Sequence, residues 1–144
     1  KNANLLLDQF SLLEEVIKRV QVYKSELNKN KLNNDTHNRI ALARALYIAK
    51  DENEKMEVIE KRMAARSKVD QLSERPDGKN QSSIMSFKGP DEALNGALIG
   101  TEEEIHERLK KLRDNGVGYL LLVDAGGGID HLRLFAKKIM PAYH

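Results

Sequence analysis

The chain has 144 residues, 40% of them hydrophobic and 32% charged, with a formal net charge of +2. That is enough chain for one domain with a real core, and the composition is globular rather than disordered. The small basic excess is spread along the sequence, which excludes a charged footprint for nucleic acid or for a membrane surface.

Leu5-Leu6-Leu7 is a short apolar run that ends at Asp8-Gln9-Phe10. Ser11-Leu12-Leu13-Glu14 then reads as a capping box, in which the Ser hydroxyl and the Glu carboxylate satisfy orphan backbone N–H groups. Behind it Leu13, Val16, Ile17, Val20 and Leu27 recur at helical spacing, and the Asn- and Lys-rich stretch 28–38 stops the helix. Ile40–Ala49 is apolar except for Arg44, short, and bounded by turn-like segments, which predicts a strand buried on both faces. Its alanines leave a helix open.

Asp51-Glu52-Asn53-Glu54 caps a helix to about Leu72, with Met56, Ile59, Met63, Val69 and Leu72 as its expected buried positions. The basic cluster Lys61, Arg62, Arg66 and Lys68 reads as a solvated face of that helix. Residues 73–100 break the rhythm with Pro76, Gly78, Gly89 and Pro90, and are expected to be a loop or lid carrying a short helix over Asp91–Ala97. Thr101 opens the cleanest capping box. Ile105, Leu109 and Leu112 face inward, with Glu104–Arg108 and Glu107–Lys111 paired at one-turn spacing. Asn115-Gly116 supplies the C-cap. Val117–Val123 is the strongest strand, Asp124 to Gly128 a turn, and Asp130–Met140 a helix that Pro141 ends.

This alternation predicts an α/β architecture. The strands Leu5–Asp8, Ile40–Ile48 and Val117–Val123 should be parallel, with the capped helices on one side as crossovers. Residues 1–144 divide into strand–helix units 1–38, 39–100 and 101–144. The absence of cysteine excludes disulfides and zinc–thiolate sites, and fits a reducing, cytoplasmic setting. No apolar run is long enough to span a membrane, and no signal peptide is evident. The chain starts at Lys1 without an initiator Met, which suggests a truncated or proteolysed product. His37, His106, His131 and His144 show no metal-ligand spacing.

The stretch Ala97–Val123, with Ile99-Gly100-Thr101, its acidic residues, a helix, Gly116-Val117 and a strand, resembles the end of luciferase-like flavin-dependent oxidoreductases. Leu132–Ala136 through Ile139-Met140-Pro141 resembles the helix that closes those chains. Arg44–Ala49 with Asp51-Glu52 resembles the strand before. The resemblance covers both ends and the middle of the chain and leaves residues 73–88 unmatched. It implies the last strand–helix units of a TIM barrel that binds reduced flavin (FMN) at the carboxyl ends of its strands and oxidises a small organic substrate with oxygen.

A whole barrel takes about eight units and about 250 residues, so this chain has room for about three of the units. The family's flavin-activating residues lie in the first half, and none is transferred. On the barrel reading, Asp8, Gln9 and Asp124, just after their strands, are candidates to line the cofactor pocket. Capping or turn roles are the alternative for each. Arg44 would meet a phosphate, a carboxylate or a structural ion partner. Gly126, Gly127 and Gly128 before a helix would cradle a phosphate, or simply make a flexible turn. Such a fragment should be inactive alone and should self-associate through its open edges. Two rivals stand beside this reading: a deazaflavin-dependent hydride-transfer enzyme of the same fold, and a non-catalytic α/β module that dimerises by its sheet edge.

Overall fold

The computed structural model describes residues 4–32, 39–72 and 89–143. In chain order they form β1 (Leu5–Leu7), α1 (Leu13–Lys29), β2 (Ile40–Ile48), α2 (Glu52–Leu72) and α3 (Pro90–Asn95). Then come β3 (Leu98–Gly100), α4 (Glu102–Asp114), β4 (Tyr119–Asp124) and α5 (Gly128–Leu134). A π-helical turn over Phe135–Ile139 and a 3₁₀ turn over Met140–Tyr143 prolong α5.

The apolar run of β2 makes it the central strand, and every partner is parallel to it. Leu5–Leu7 pair with Ile40–Leu42, Leu98–Gly100 with Leu46–Ile48, and Tyr119–Asp124 with Ala41–Leu46. Ala41, Leu42 and Leu46 each pair twice, and a strand has only two edges. β1 and β3 therefore follow one another along one edge of β2, while β4 takes the other. The parallel α/β architecture with crossover helices is as the sequence predicts. β3 is an addition: the segment 90–100, expected as loop with a short helix, is helix α3 followed by a strand. Residues 73–88 of the expected lid lie outside the described residues.

Alternate residues of β2 face opposite layers. Ile40 and Leu42 pack with Leu7, Val16, Val20, Leu112 and Val117, and Leu46 and Ile48 with Leu98, Ile105, Leu109, Phe135 and Ile139. That face carries α1, α4 and the C-terminal helix. Ala45 on the other face packs with Val58, Ile59, Ala93, Ala97 and Ile99, so α2 and α3 lie across the sheet from the rest. The expectation of helices on one side is corrected here. The small side chain of Ala45 lets α2 and α3 approach that face at the carboxyl half of β2, whereas Ala41 and Ala43 are half-buried and lie outside that cluster. The inward positions of α2 are Lys55, Val58 and Ile59, whereas Met56 and Val69 are exposed.

Helix ends show which polar groups won. The Ser11–Glu14 capping box does not form: Leu12 is the N-cap, without a side-chain bond. The Asp8 carboxylate instead takes the N–H groups of Phe10 and Ser11 and the Ser11 hydroxyl, at 2.7, 2.8 and 2.6 Å. The Thr101–Glu104 box does form. Its Glu104 also accepts from Lys55 at 2.7 Å, which ties α2 to α4. Arg108, expected to pair with Glu104, donates to the Ile99 carbonyl at 2.6 Å. At the end of α4, Gly116 N–H meets Arg113 O and Val117 N–H meets Leu112 O, a Schellman closure with Gly116 at φ +99°. α1 closes the same way, but with Lys31 at φ +52° where glycine is usual. Among the described residues no helix is long and apolar enough to cross a membrane.

Candidate functional site

Parallel strands bring their carboxyl ends, and the loops that follow, to one end of the sheet. Here that end collects Asp8–Phe10 after β1, Tyr47–Asp51 at the end of β2, and Asp124–Gly128 after β4. α2 passes over them. The result is a cleft of about 470 Å³, lined by Phe10, Tyr47, Val58, Lys61, Arg62, Ala65, Arg66, Val69, Ala125 and Gly126.

Of the sequence candidates Gly126 lines this cleft, and Asp8, Gln9, Arg44, Asp124, Gly127 and Gly128 lie around it. Asp8 accepts from Phe10, Ser11 and Arg19, the last at 2.9 Å. Burial raises its pKa, but the hydrogen bonds from Ser11, Phe10 and Arg19 more than offset this and hold it at about 2. Gln9 lies beside it in the same bend, half-buried.

Arg44 is 2% exposed. By strand alternation it shares the face of Leu42 and Leu46. Its guanidinium donates to the carbonyls of Ser11 at 2.7 Å and of Asp8 and Ala43 at 3.1 Å. Burial and Arg62 lower its pKa, Asp8 raises it, and the balance near 10 leaves it charged at neutral pH. Arg44 therefore clamps the β1–α1 loop to β2 through backbone carbonyls with the Asp8 carboxylate in its field, which is the structural alternative to a phosphate partner.

The glycine turn is also engaged from within. Asp124 Oδ1 accepts the N–H groups of Gly126 at 3.0 Å and Gly128 at 2.9 Å, which lowers the Asp124 pKa. Gly126 and Gly128 adopt φ +105° and +62°, so the turn wraps its own carboxylate. A phosphate could use those donors only by displacing Asp124. The turn that would cradle an anion already holds one. Gly127 lies against the His131 ring, where an added Cβ would collide.

His131 and the basic residues of α2 are what the sequence reading missed. His131 Nδ1 accepts the Ile48 N–H at 3.1 Å, and its ring lies 4.2 Å from that of Tyr47. Tyr47 donates to Glu54 at 3.0 Å, and burial followed by Glu54 raises its pKa. Asp51 caps Glu54 N–H at 2.9 Å, in the role expected of it. Arg62 and Arg66, read as solvated, are half-buried in the cleft wall. The Arg66 guanidinium sits 4.6 Å from the centre of the Phe10 ring. A signal existed: Val58, Arg62, Ala65 and Val69 follow helical stripe spacing, so Arg62 stands in an apolar row. Among the described residues no cluster of three His, Asp or Glu side chains is placed to hold a metal ion.

No family model and no curated protein matches the chain. Among solved structures, it is similar in fold to the monooxygenase RslO1 from Streptomyces bottropensis, with a TM-score of 0.64 at 18% identity. The match covers 98% of this chain and 42% of that one, so the chain spans less than half of its neighbour's length and shares that fold over nearly all of its own.

Proposed function

We propose that the chain forms the carboxy-terminal strand–helix units of a flavin-dependent monooxygenase barrel of the luciferase-like kind, and that the cleft is one wall of its active site. One observation carries the reading. The loops after three parallel strands meet over a cleft at their carboxyl ends, where barrel enzymes bind ligands, in a chain whose fold aligns with part of a monooxygenase. Reduced FMN, when bound, supplies the electrons that activate oxygen toward a small organic substrate.

The cleft suits a planar, anionic ligand at Phe10, Tyr47, Lys61, Arg62 and Arg66. The turn of Gly126, Gly127 and Gly128 does not suit a phosphate while Asp124 fills it. Arg44 and Asp8 serve by fixing the loop that carries Phe10 and Gln9. Catalysis needs cofactor and substrate held by several loops at once. Three loops cannot do this, so the chain is inactive alone.

The test is anaerobic titration with reduced FMN, followed by oxygen uptake with candidate substrates. The reading expects weak flavin binding and no substrate oxidation. Turnover by this chain alone would overturn the incomplete-site account, and no response even to millimolar FMN would remove the flavin.

A further inference from the structure

Among the described residues that line the cleft, Tyr47 is the uncharged polar side chain, and Val58, Val69 and Ala125 beside it are apolar. A phenol carries a single proton, and its oxygen keeps lone pairs for accepting. The Tyr47 proton is committed, because Oη donates to Glu54 Oε1 at 3.0 Å. The carboxyl sets that direction. Glu54 Oε2 takes the Lys50 N–H at 2.7 Å, and the hydrogen bonds from Lys50 and Tyr47 hold the Glu54 pKa below its ordinary value. An ionised carboxylate only accepts. Glu54 is anchored in turn, its own N–H donating to Asp51 at 2.9 Å. The Tyr47 ring lies 4.2 Å from that of His131, which the Ile48 N–H pins at 3.1 Å. Among the described residues no group donates to Tyr47 Oη, so its accepting capacity is unused.

We propose that Tyr47 Oη is a hydrogen-bond acceptor for the organic substrate, and that the cleft selects a substrate presenting an O–H or N–H donor there. This rests on the reading of the cleft as one wall of the active site and gives that wall its selectivity. The hydrogen bond to the Glu54 carboxylate polarises the phenol and makes its oxygen a better acceptor. A substrate with an ether or carbonyl oxygen at the same place would set lone pair against lone pair and lose its water without return. A few polar groups set in an apolar wall are what orient a ligand in a pocket.

Titration of the chain followed by NMR, with phenol against anisole and indole against N-methylindole, tests the site, since each pair exchanges the donor hydrogen for a methyl group. Phenol should bind about fivefold more tightly than anisole, the worth of one neutral hydrogen bond. Tyr47→Phe should erase that difference while anisole binds as before, and Glu54→Gln should reduce it, because a neutral amide polarises the phenol less. Should Tyr47→Phe fail to fold, the wild-type chain still decides: the Tyr47 Cζ resonance must shift more with phenol than with anisole at equal occupancy. A like preference for indole over N-methylindole extends the class to N–H donors, and its absence restricts the class to hydroxyls. Anisole binding as well as phenol, a preference untouched by Tyr47→Phe, or no binding of either ring at millimolar concentration overturns the site.

The two readings fail separately. A preference for phenol that Tyr47→Phe removes, in a chain that shows no trace of reduced FMN binding, sinks the flavin and keeps the acceptor. Reduced FMN bound, with phenol no better than anisole, does the reverse.

Discussion

Replacing Arg44 by Ala should cost the fold more than any change at the cleft surface. The side chain is 2% exposed and ends on three backbone carbonyls. The carbonyls of Ser11 and Asp8 would lose a charged donor, at about 2 kcal/mol each. The void left by the long side chain costs about 2 kcal/mol more. Removing a desolvated charge returns about 2 kcal/mol of this. The net loss is about 4 kcal/mol from a total of about 5–15 kcal/mol for a domain, or about 10 °C in melting temperature. Arg44→Met fills the void and should lose only about 2 kcal/mol.

Urea unfolding followed by circular dichroism measures both variants. If Arg44→Ala lies within about 1 kcal/mol of the parent, the clamp is not what holds the loop. If it binds reduced FMN less well at unchanged stability, Arg44 belongs to the ligand site instead.

Lys31→Gly should stabilise the chain by about 0.5–1 kcal/mol in the same assay, because Lys31 sits at φ +52° in the α1 closure where glycine is unstrained. Lys55→Ala should cost about 2–3 kcal/mol, since its ammonium, 7% exposed, bridges Glu104 and Glu52 and ties α2 to α4; no change would mean that α2 is held by its apolar contacts alone. Asp8 has its pKa depressed from 3.8 to about 2, so its stabilisation is full above pH 4 and lost as pH falls through 2. After discounting for a carboxylate 39% exposed, this is worth about 1 kcal/mol, and the pH 4-to-2 limb of the stability curve should flatten in Asp8→Asn. Leu6, Tyr119, Leu121 and Val123 leave the open face of the sheet apolar, so the isolated chain should self-associate in light scattering, and Leu121→Lys should reduce it; a monomer at every concentration would count against an incomplete sheet.

What was legible in the sequence depended on how many residues carried the signal. β2 and β4 were readable because runs of six to nine residues are apolar but for Arg44 and the closing Asp124, and α4 because capping box, stripe and Gly116 agree. β3 was not, because three residues show no alternation and its neighbours Gly89, Pro90 and Gly96 read as breakers. Ser11 misled because a capping pattern is local, whereas the competing acceptor, Asp8, lies three residues earlier and also binds Arg19. The buried face of α2 was legible in part: Ile59 and Met63 pack on the core as expected, whereas Met56 and Val69 are exposed, and Lys55 and Arg62, being polar, carried no inward signal of their own. Both turn inward, one onto a carboxylate of another element and the other onto the cleft.

That last error bears on the site itself. Sequence patterning looks for an anion at a glycine turn before a helix, since backbone N–H groups converge there. In this chain Asp124 is adjacent to the turn and competes for those donors without any loss of translational freedom, an advantage that a free ligand lacks. The turn is therefore satisfied from within. The cover over the carboxyl ends of the strands comes instead from α2, whose Val58 and Ile59 pack with Ala45 and Ile99.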